Sequence, residues 1–152
     1  DGLLNFYADI DRHCDLSFQK AFKEFTGWID SLPDPYVVDA SEELISKFSE
    51  TEFYRGVTIA APGFYGPQGR IIRLTIAMEK MNTLIEQFRY KNFKITNFEM
   101  ESSAVYGLSR MLGHKALNVS LIIANRVTGE ANNNYYPEMK KLIQRVLDIL
   151  TV

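Results

Sequence analysis

Apolar positions recur along this chain at two periods, one suited to helices and one to strands. Leu16, Phe18, Ala21, Phe22 and Phe25 fall on one face of a helix over 15–25, with Gly27 just past its end. Pro33 and Pro35 mark a loop, and Tyr36-Val37-Val38 reads as a short strand. Asp39 or Ser41 can cap a helix that carries Glu42 and Glu43 in its first turn and runs through Leu44, Ile45 and Phe48. Val57-Thr58-Ile59-Ala60 predicts a buried strand that stops at Pro62-Gly63. A helix is predicted over 79–88, with Met81, Leu84, Ile85 and Phe88 on one face, and an alternating strand over 93–98. A second clear helix follows over 101–112, with Ala104, Val105, Leu108, Met111 and Leu112 inward and Gly113 ending it. The run 116–124 is the most strand-like of all, and Pro137 opens a last helix through Leu142, Val146 and Leu150. Strands alternate with helices, so the class is α/β. In such sheets ligands bind where loops leave the carboxyl ends of strands.

Composition narrows the function classes. The 152 residues suffice for one domain with its own core, and 46% apolar with 24% charged residues is ordinary for a globular protein. A net charge of −2 without a basic patch argues against a nucleic-acid partner. Cys14 is the one cysteine, which excludes an internal disulfide and a cysteine-built zinc site; packing suits it better than nucleophilic work, since nothing near it in sequence would activate it. No signal peptide and no membrane-spanning run is present, so a cytoplasmic location and no membrane partner are expected. The opening Asp1-Gly2-Leu3-Leu4-Asn5-Phe6 has no initiator Met and reads like the interior of a larger protein.

The candidate chemistry sits in the loops after three strands. Pro62-Gly63-Phe64-Tyr65-Gly66-Pro67-Gln68-Gly69-Arg70 has an irregular backbone fixed by glycines and prolines. Gln68 offers a donor beside an acceptor, the complement of the N–H and carbonyl on a uracil edge; Arg70 can donate to another carbonyl, and Phe64 supplies an aromatic face. In Phe98-Glu99-Met100-Glu101-Ser102-Ser103 a strand hands over to a helix between two acids. A carboxylate there suits the vicinal hydroxyls of ribose, and Met100 can pack on the sugar. In Ile122-Ile123-Ala124-Asn125-Arg126 a strand ends in a polar pair, where Ile123 can line a base pocket and Arg126 can close it or brace the first loop. Each segment read by itself is equally an ordinary surface turn, helix start or strand end.

Together, in this order and spacing, the three segments resemble the uridine phosphorylases, within the wider nucleoside phosphorylase superfamily. The resemblance covers the whole chain but corresponds to the C-terminal half of a family member. It implies a three-layer, mixed-sheet α/β fold present as a partial domain, residues 1–152, lacking the N-terminal half. It implies that Gln68 and Arg70 hold the pyrimidine and act in catalysis, and that Phe64 packs beside the nucleoside. Glu101 would accept from the ribose hydroxyls, Met100 would touch the sugar, Ile123 would lie near the base and Arg126 would support the pocket. Glu99 belongs to the binding motif without a defined role.

The implied reaction is phosphorolysis of uridine to uracil and ribose 1-phosphate. Phosphate is a co-substrate, and no cofactor or metal is needed. Negative charge grows on the departing base, and Arg70 with Gln68 would stabilise it there. Purine-specific relatives place an Asp where this chain has Asn125, which favours a pyrimidine and disfavours the nucleoside hydrolases. The sequence shows no recognisable phosphate-binding constellation of arginines, Gly-rich backbone or helix N-terminus, so the isolated chain is expected to be inactive and to need the N-terminal half as partner. A homodimer or a larger ring of dimers is implied. A purine-preferring or broad phosphorylase, a hydrolase, or a nucleoside-binding fragment without catalysis are the alternatives.

Overall fold

The computed structural model describes residues 7–151, so the reading attached to the opening Asp1–Phe6 lies outside the described residues. Helix α1 (Leu16–Thr26) begins where Asp15 accepts a hydrogen bond from the Phe18 N–H at 2.9 Å, and it ends at Gly27. Helix α2 (Glu42–Ile45) is a single turn capped by Ser41, not the longer helix expected through Phe48. Ser46 follows it, and its hydroxyl donates to the Glu43 carbonyl at 2.9 Å, a local bond that competes with continuation. Strand β1 (Val57–Ala60) is followed by helix α3 (Met81–Gln87), the two-residue strand β2 (Arg89–Tyr90) and strand β3 (Phe93–Glu99). Helices α4 (Ser102–Met111) and α5 (Tyr136–Thr151) complete the order.

The sheet is mixed. Its order is β1-β3-β2, with β1 parallel and β2 antiparallel to β3. Register shifts between Val57 and Thr58, which pair with Ile95 and Asn97, so Thr96 is an extra residue on β3. This bulge lets Ile95 and Phe98, three positions apart, pair with Val57 and Ile59 and face one core. Gly56 makes room for it: a Cβ there would lie 2.2 Å from Thr96 Cγ2.

That core gathers Phe18 and Phe22 of α1 with Met81 and Ile85 of α3 and Phe88 just beyond it. Phe88, 2% exposed, meets the rings of Phe18 and Phe22 edge-on at 5.4 and 5.2 Å. Truncating such a residue to Ala costs about 3–5 kcal/mol. The loop 61–80 and the end of β3 thus adjoin the packed core of the chain.

Two expected strands do not form. Val37 lies in a loop, where its carbonyl accepts from the Asp15 N–H at 2.8 Å. The run 116–124 makes one isolated bridge, Ala124 with Ala131. Two of its backbone groups bond elsewhere: the Ala116 carbonyl to Ser41 N–H at 2.9 Å, and the Asn118 N–H to the Tyr106 hydroxyl at 2.6 Å. An apolar, β-branched pattern specifies a strand only where a neighbour completes the ladder. Instead, an apolar cleft of about 990 Å³ lies between β1 and residues 117–121, with Tyr36 and Tyr106 on its wall. In α4 the buried position is Gly107, whereas Val105 and Leu112, expected inward, are 53% and 69% exposed.

Candidate active site

The loop after β1 folds back on itself. A short 3-10 turn, Gly66–Gln68, has Pro67 in its first positions, and the N–H groups of Gln68 and Arg70 both donate to the Tyr65 carbonyl at 3.1 and 3.0 Å. Gly69 closes the turn with φ 73°, in the left-handed region. The turn drives Gln68 inward until it is 4% exposed, one of two buried polar residues among those described.

Two guanidinium groups converge on that amide. Gln68 Oε1 accepts from Arg70 Nη1 at 2.6 Å and from Arg126 Nη2. Arg126 Nη1 donates to the Gln68 backbone carbonyl at 2.6 Å, and Arg70 Nη1 also donates to the Phe64 carbonyl. Each arginine lies on an aromatic face, Arg70 at 3.7 Å from the Phe64 ring centre and Arg126 at 4.4 Å from that of Phe98. Burial, then the like charge of Arg70, push the Arg126 guanidinium below its usual pKa. Both acceptor positions of Oε1 are therefore filled, which fixes the amide orientation and leaves its NH2 as the donor end. Phe64 is 52% exposed, with one face taken by Arg70.

The acids occupy the start of α4. Glu99 Oε2 accepts from the N–H groups of Glu101 and Ser102, each at 2.7 Å, and Oε1 accepts from the Ser102 hydroxyl at 2.6 Å. Glu99 thus caps the helix, and its carboxylate is already engaged. Glu101, at the N-cap position itself, makes no side-chain cap bond and is exposed. Met100 is 38% exposed and Ile123 43%. The Ile123 carbonyl accepts from the Asn132 N–H at 2.8 Å, and Asn125 Oδ1 accepts from the N–H groups of Val127 and Thr128 at 2.9 and 3.3 Å.

The structure brings Phe64, Gln68, Arg70 and Arg126 into one contact group. Phe98 joins it to Glu99, and Glu99 holds the backbone of Glu101. No hydrogen bond, ion pair or ring contact links Gln68 or Arg70 to Met100, Glu101 or Ile123 among the described residues, and none of the eight expected residues lines the large cleft. Phe98 and Asn82 belong to the cluster without having been singled out by sequence. In sequence Phe98 is one more apolar residue of a strand, and Asn82 one polar position within a helical stretch. Cys14 stands apart, its thiol pushed up by burial and then by the charge of Asp11. Tyr135 and Tyr136 stack on each other at 5.4 Å by the start of α5.

A mixed α/β sheet with an arginine–glutamine cluster and an acid-capped helix at the ends of two parallel strands defines a class. Residues 8–151 match the Phosphorylase superfamily, and the chain belongs to it. Among curated proteins it is similar to a uridine phosphorylase from Thermococcus kodakarensis, with 31% identity over 94 residues, 62% of this chain. That match spans about a third of the relative's length, 31%. No solved structure is a significant match.

Proposed function

We propose that this chain carries the base and ribose sites of a pyrimidine nucleoside phosphorylase, which converts uridine and phosphate to uracil and ribose 1-phosphate. The carrying observation is the pair of guanidinium groups fixed on the buried Gln68 amide. A uracil N–H can take the place of Arg70 at Oε1, while the amide NH2 and the released Arg70 donate to the base carbonyls. As the glycosidic bond lengthens, negative charge spreads onto those oxygens, where the released Arg70, with Arg126 beside it, stabilises it. The open face of Phe64 would take the nucleoside, with Ile123 near the base. Glu101, unlike Glu99, has its carboxylate available for the ribose hydroxyls, beside Met100.

Asn125 favours a pyrimidine over a purine, since a carboxamide held in a turn is a poor proton donor to a purine ring. The name of the Thermococcus relative supports the same reading. We assign phosphate binding to an N-terminal half outside these residues, and the working enzyme to a homo-oligomer in the cytoplasm. The test compares phosphate-dependent cleavage of uridine, inosine and methylthioadenosine by the full-length protein. A kcat/KM highest for uridine is expected; a purine preference, or cleavage without phosphate, would overturn the reading. Activity of the 152-residue chain by itself would overturn the assignment of phosphate to the other half.

A further inference from the structure

We propose that Asn82, on α3, is a positioning residue for the base-recognising amide of Gln68. The inference rests on the pyrimidine reading above and adds to it the element that sets the geometry. Asn82 Nδ2 donates to two successive carbonyls of the recognition loop, Gln68 at 3.4 Å and Gly69 at 3.3 Å. Both bonds are long, and a closer contact fixes the pair. A Cβ on Gly69 would lie 2.4 Å from Nδ2 and 2.6 Å from both Cγ and Oδ1, so the Asn82 amide is seated against the bare Cα of a left-handed glycine. The two residues fit only as a pair.

The opposite end of the side chain explains why an amide stands here. Asn82 Oδ1 is buried and accepts no hydrogen bond, the single such atom among the described residues. An apolar side chain would avoid that orphaned acceptor, so what Asn82 contributes is its donor end. Reversing the amide would aim an oxygen at two carbonyl oxygens.

The Gln68 carbonyl is consequently held from two directions, by Arg126 from the loop after residue 124 and by Asn82 from α3. Arg126 reaches in from an exposed loop, whereas Asn82 sits between Met81 and Ile85, 6% and 5% exposed in the core. Asn82 therefore transmits the rigidity of the core to the backbone from which the Gln68 amide projects. Losing it should blur base recognition while sparing the sugar and phosphate sites.

The experiment measures product inhibition of the full-length enzyme by uracil and by ribose 1-phosphate, for wild type, Asn82→Ala, Asn82→Asp, Gln68→Ala and the double variants. Asn82→Ala is expected to weaken uracil inhibition about tenfold, on the scale of one hydrogen bond to the base lost. Ribose 1-phosphate inhibition should stay within about twofold, and Asn82→Ala should add nothing in the Gln68→Ala background, the signature of two residues acting as one. Asn82→Asp, of the same shape but without the donor, should reproduce the loss and carries the comparison if the Ala variant does not fold. Equal weakening of both products, or full additivity with Gln68→Ala, would overturn the positioning role. If Gln68→Ala itself leaves uracil inhibition unchanged, the pyrimidine reading is what fails.

Discussion

Arg126 holds Gln68 at both ends, one guanidinium nitrogen on its backbone carbonyl at 2.6 Å and another on its side-chain oxygen, across 58 residues of sequence. This contact ties the third loop to the first. Two like charges, Arg70 and Arg126, are thereby drawn onto one oxygen, each with an aromatic face against it. Under the proposed reaction, the departing base anion supplies the electron-rich group that such a cluster favours.

Replacing Arg126 with Lys should therefore be nearly as harmful as replacing it with Ala. A single ammonium cannot reproduce the forked contact to a carbonyl and an amide oxygen, nor lie flat on Phe98. We expect kcat/KM for uridine to fall about 100-fold in both variants, of the order seen when one donor to developing charge is removed. Steady-state kinetics of the full-length protein decide it. A Lys variant within a few-fold of wild type would show that charge alone matters.

Glu101 and Glu99 should separate cleanly. Glu99 is spent on capping α4, so Glu99→Ala should lower stability by about 1 kcal/mol, read from urea denaturation. Glu101 caps nothing through its side chain, so Glu101→Ala should leave stability nearly unchanged and lower turnover of uridine more than of 2′-deoxyuridine. Equal losses for the two sugars would count against the ribose assignment.

Much of this was legible in the sequence, for identifiable reasons. The 3.6-residue stripe of α1 with Asp15 before it and Gly27 behind it specifies that helix locally, and β1 is announced by its branched residues. The same local logic fails at 116–124, where the pattern is strongest but no adjacent strand among the described residues completes a ladder. It fails again at Ile95 and Phe98, since simple alternation would put them on opposite faces and the bulge at Thr96 is invisible in composition. Gln68 and Arg70 stand out because an amide and a guanidinium two residues apart in a Gly/Pro loop are chemically suggestive. Asn82 and Phe98 do not, because their parts depend on contacts made 14 and 28 residues away, with Gln68 and Arg126.

Gly69→Ala should damage both stability and recognition. The new Cβ meets a positive φ of 73° and the Asn82 side chain at 2.4 Å. Strain of this kind costs about 1–3 kcal/mol. The turn relieves it by releasing Asn82 or by moving the Gln68 carbonyl, so uracil affinity should drop along with the urea midpoint. Unchanged uracil affinity in a folded Gly69→Ala variant would mean the turn geometry is not what positions the amide.

The last prediction concerns α1, which carries the core beneath the site. Asp15 Oδ1 accepts from the Ser17 hydroxyl at 2.6 Å and from the Phe18 N–H at 2.9 Å. Because Ser17 gives its one proton to Asp15, the Tyr90 hydroxyl, 2.7 Å away, must be the donor in its contact with Ser17. The cap therefore runs from strand β2 through Ser17 into the helix. The hydrogen bond from Ser17, then that from Phe18, lower the Asp15 pKa below its ordinary value. A carboxylate depressed in the folded state contributes stability that is present above its unfolded pKa and lost as pH falls through the folded one. Asp15→Ala should thus cost about 1 kcal/mol at neutral pH, the usual worth of an N-cap. That difference from wild type should shrink as the medium is acidified below the carboxylate range, because protonation removes the charged acceptor from the wild type as well. Urea denaturation of both proteins at descending pH checks this; a difference that stays constant into acid would show that the Asp15 charge contributes nothing to the cap.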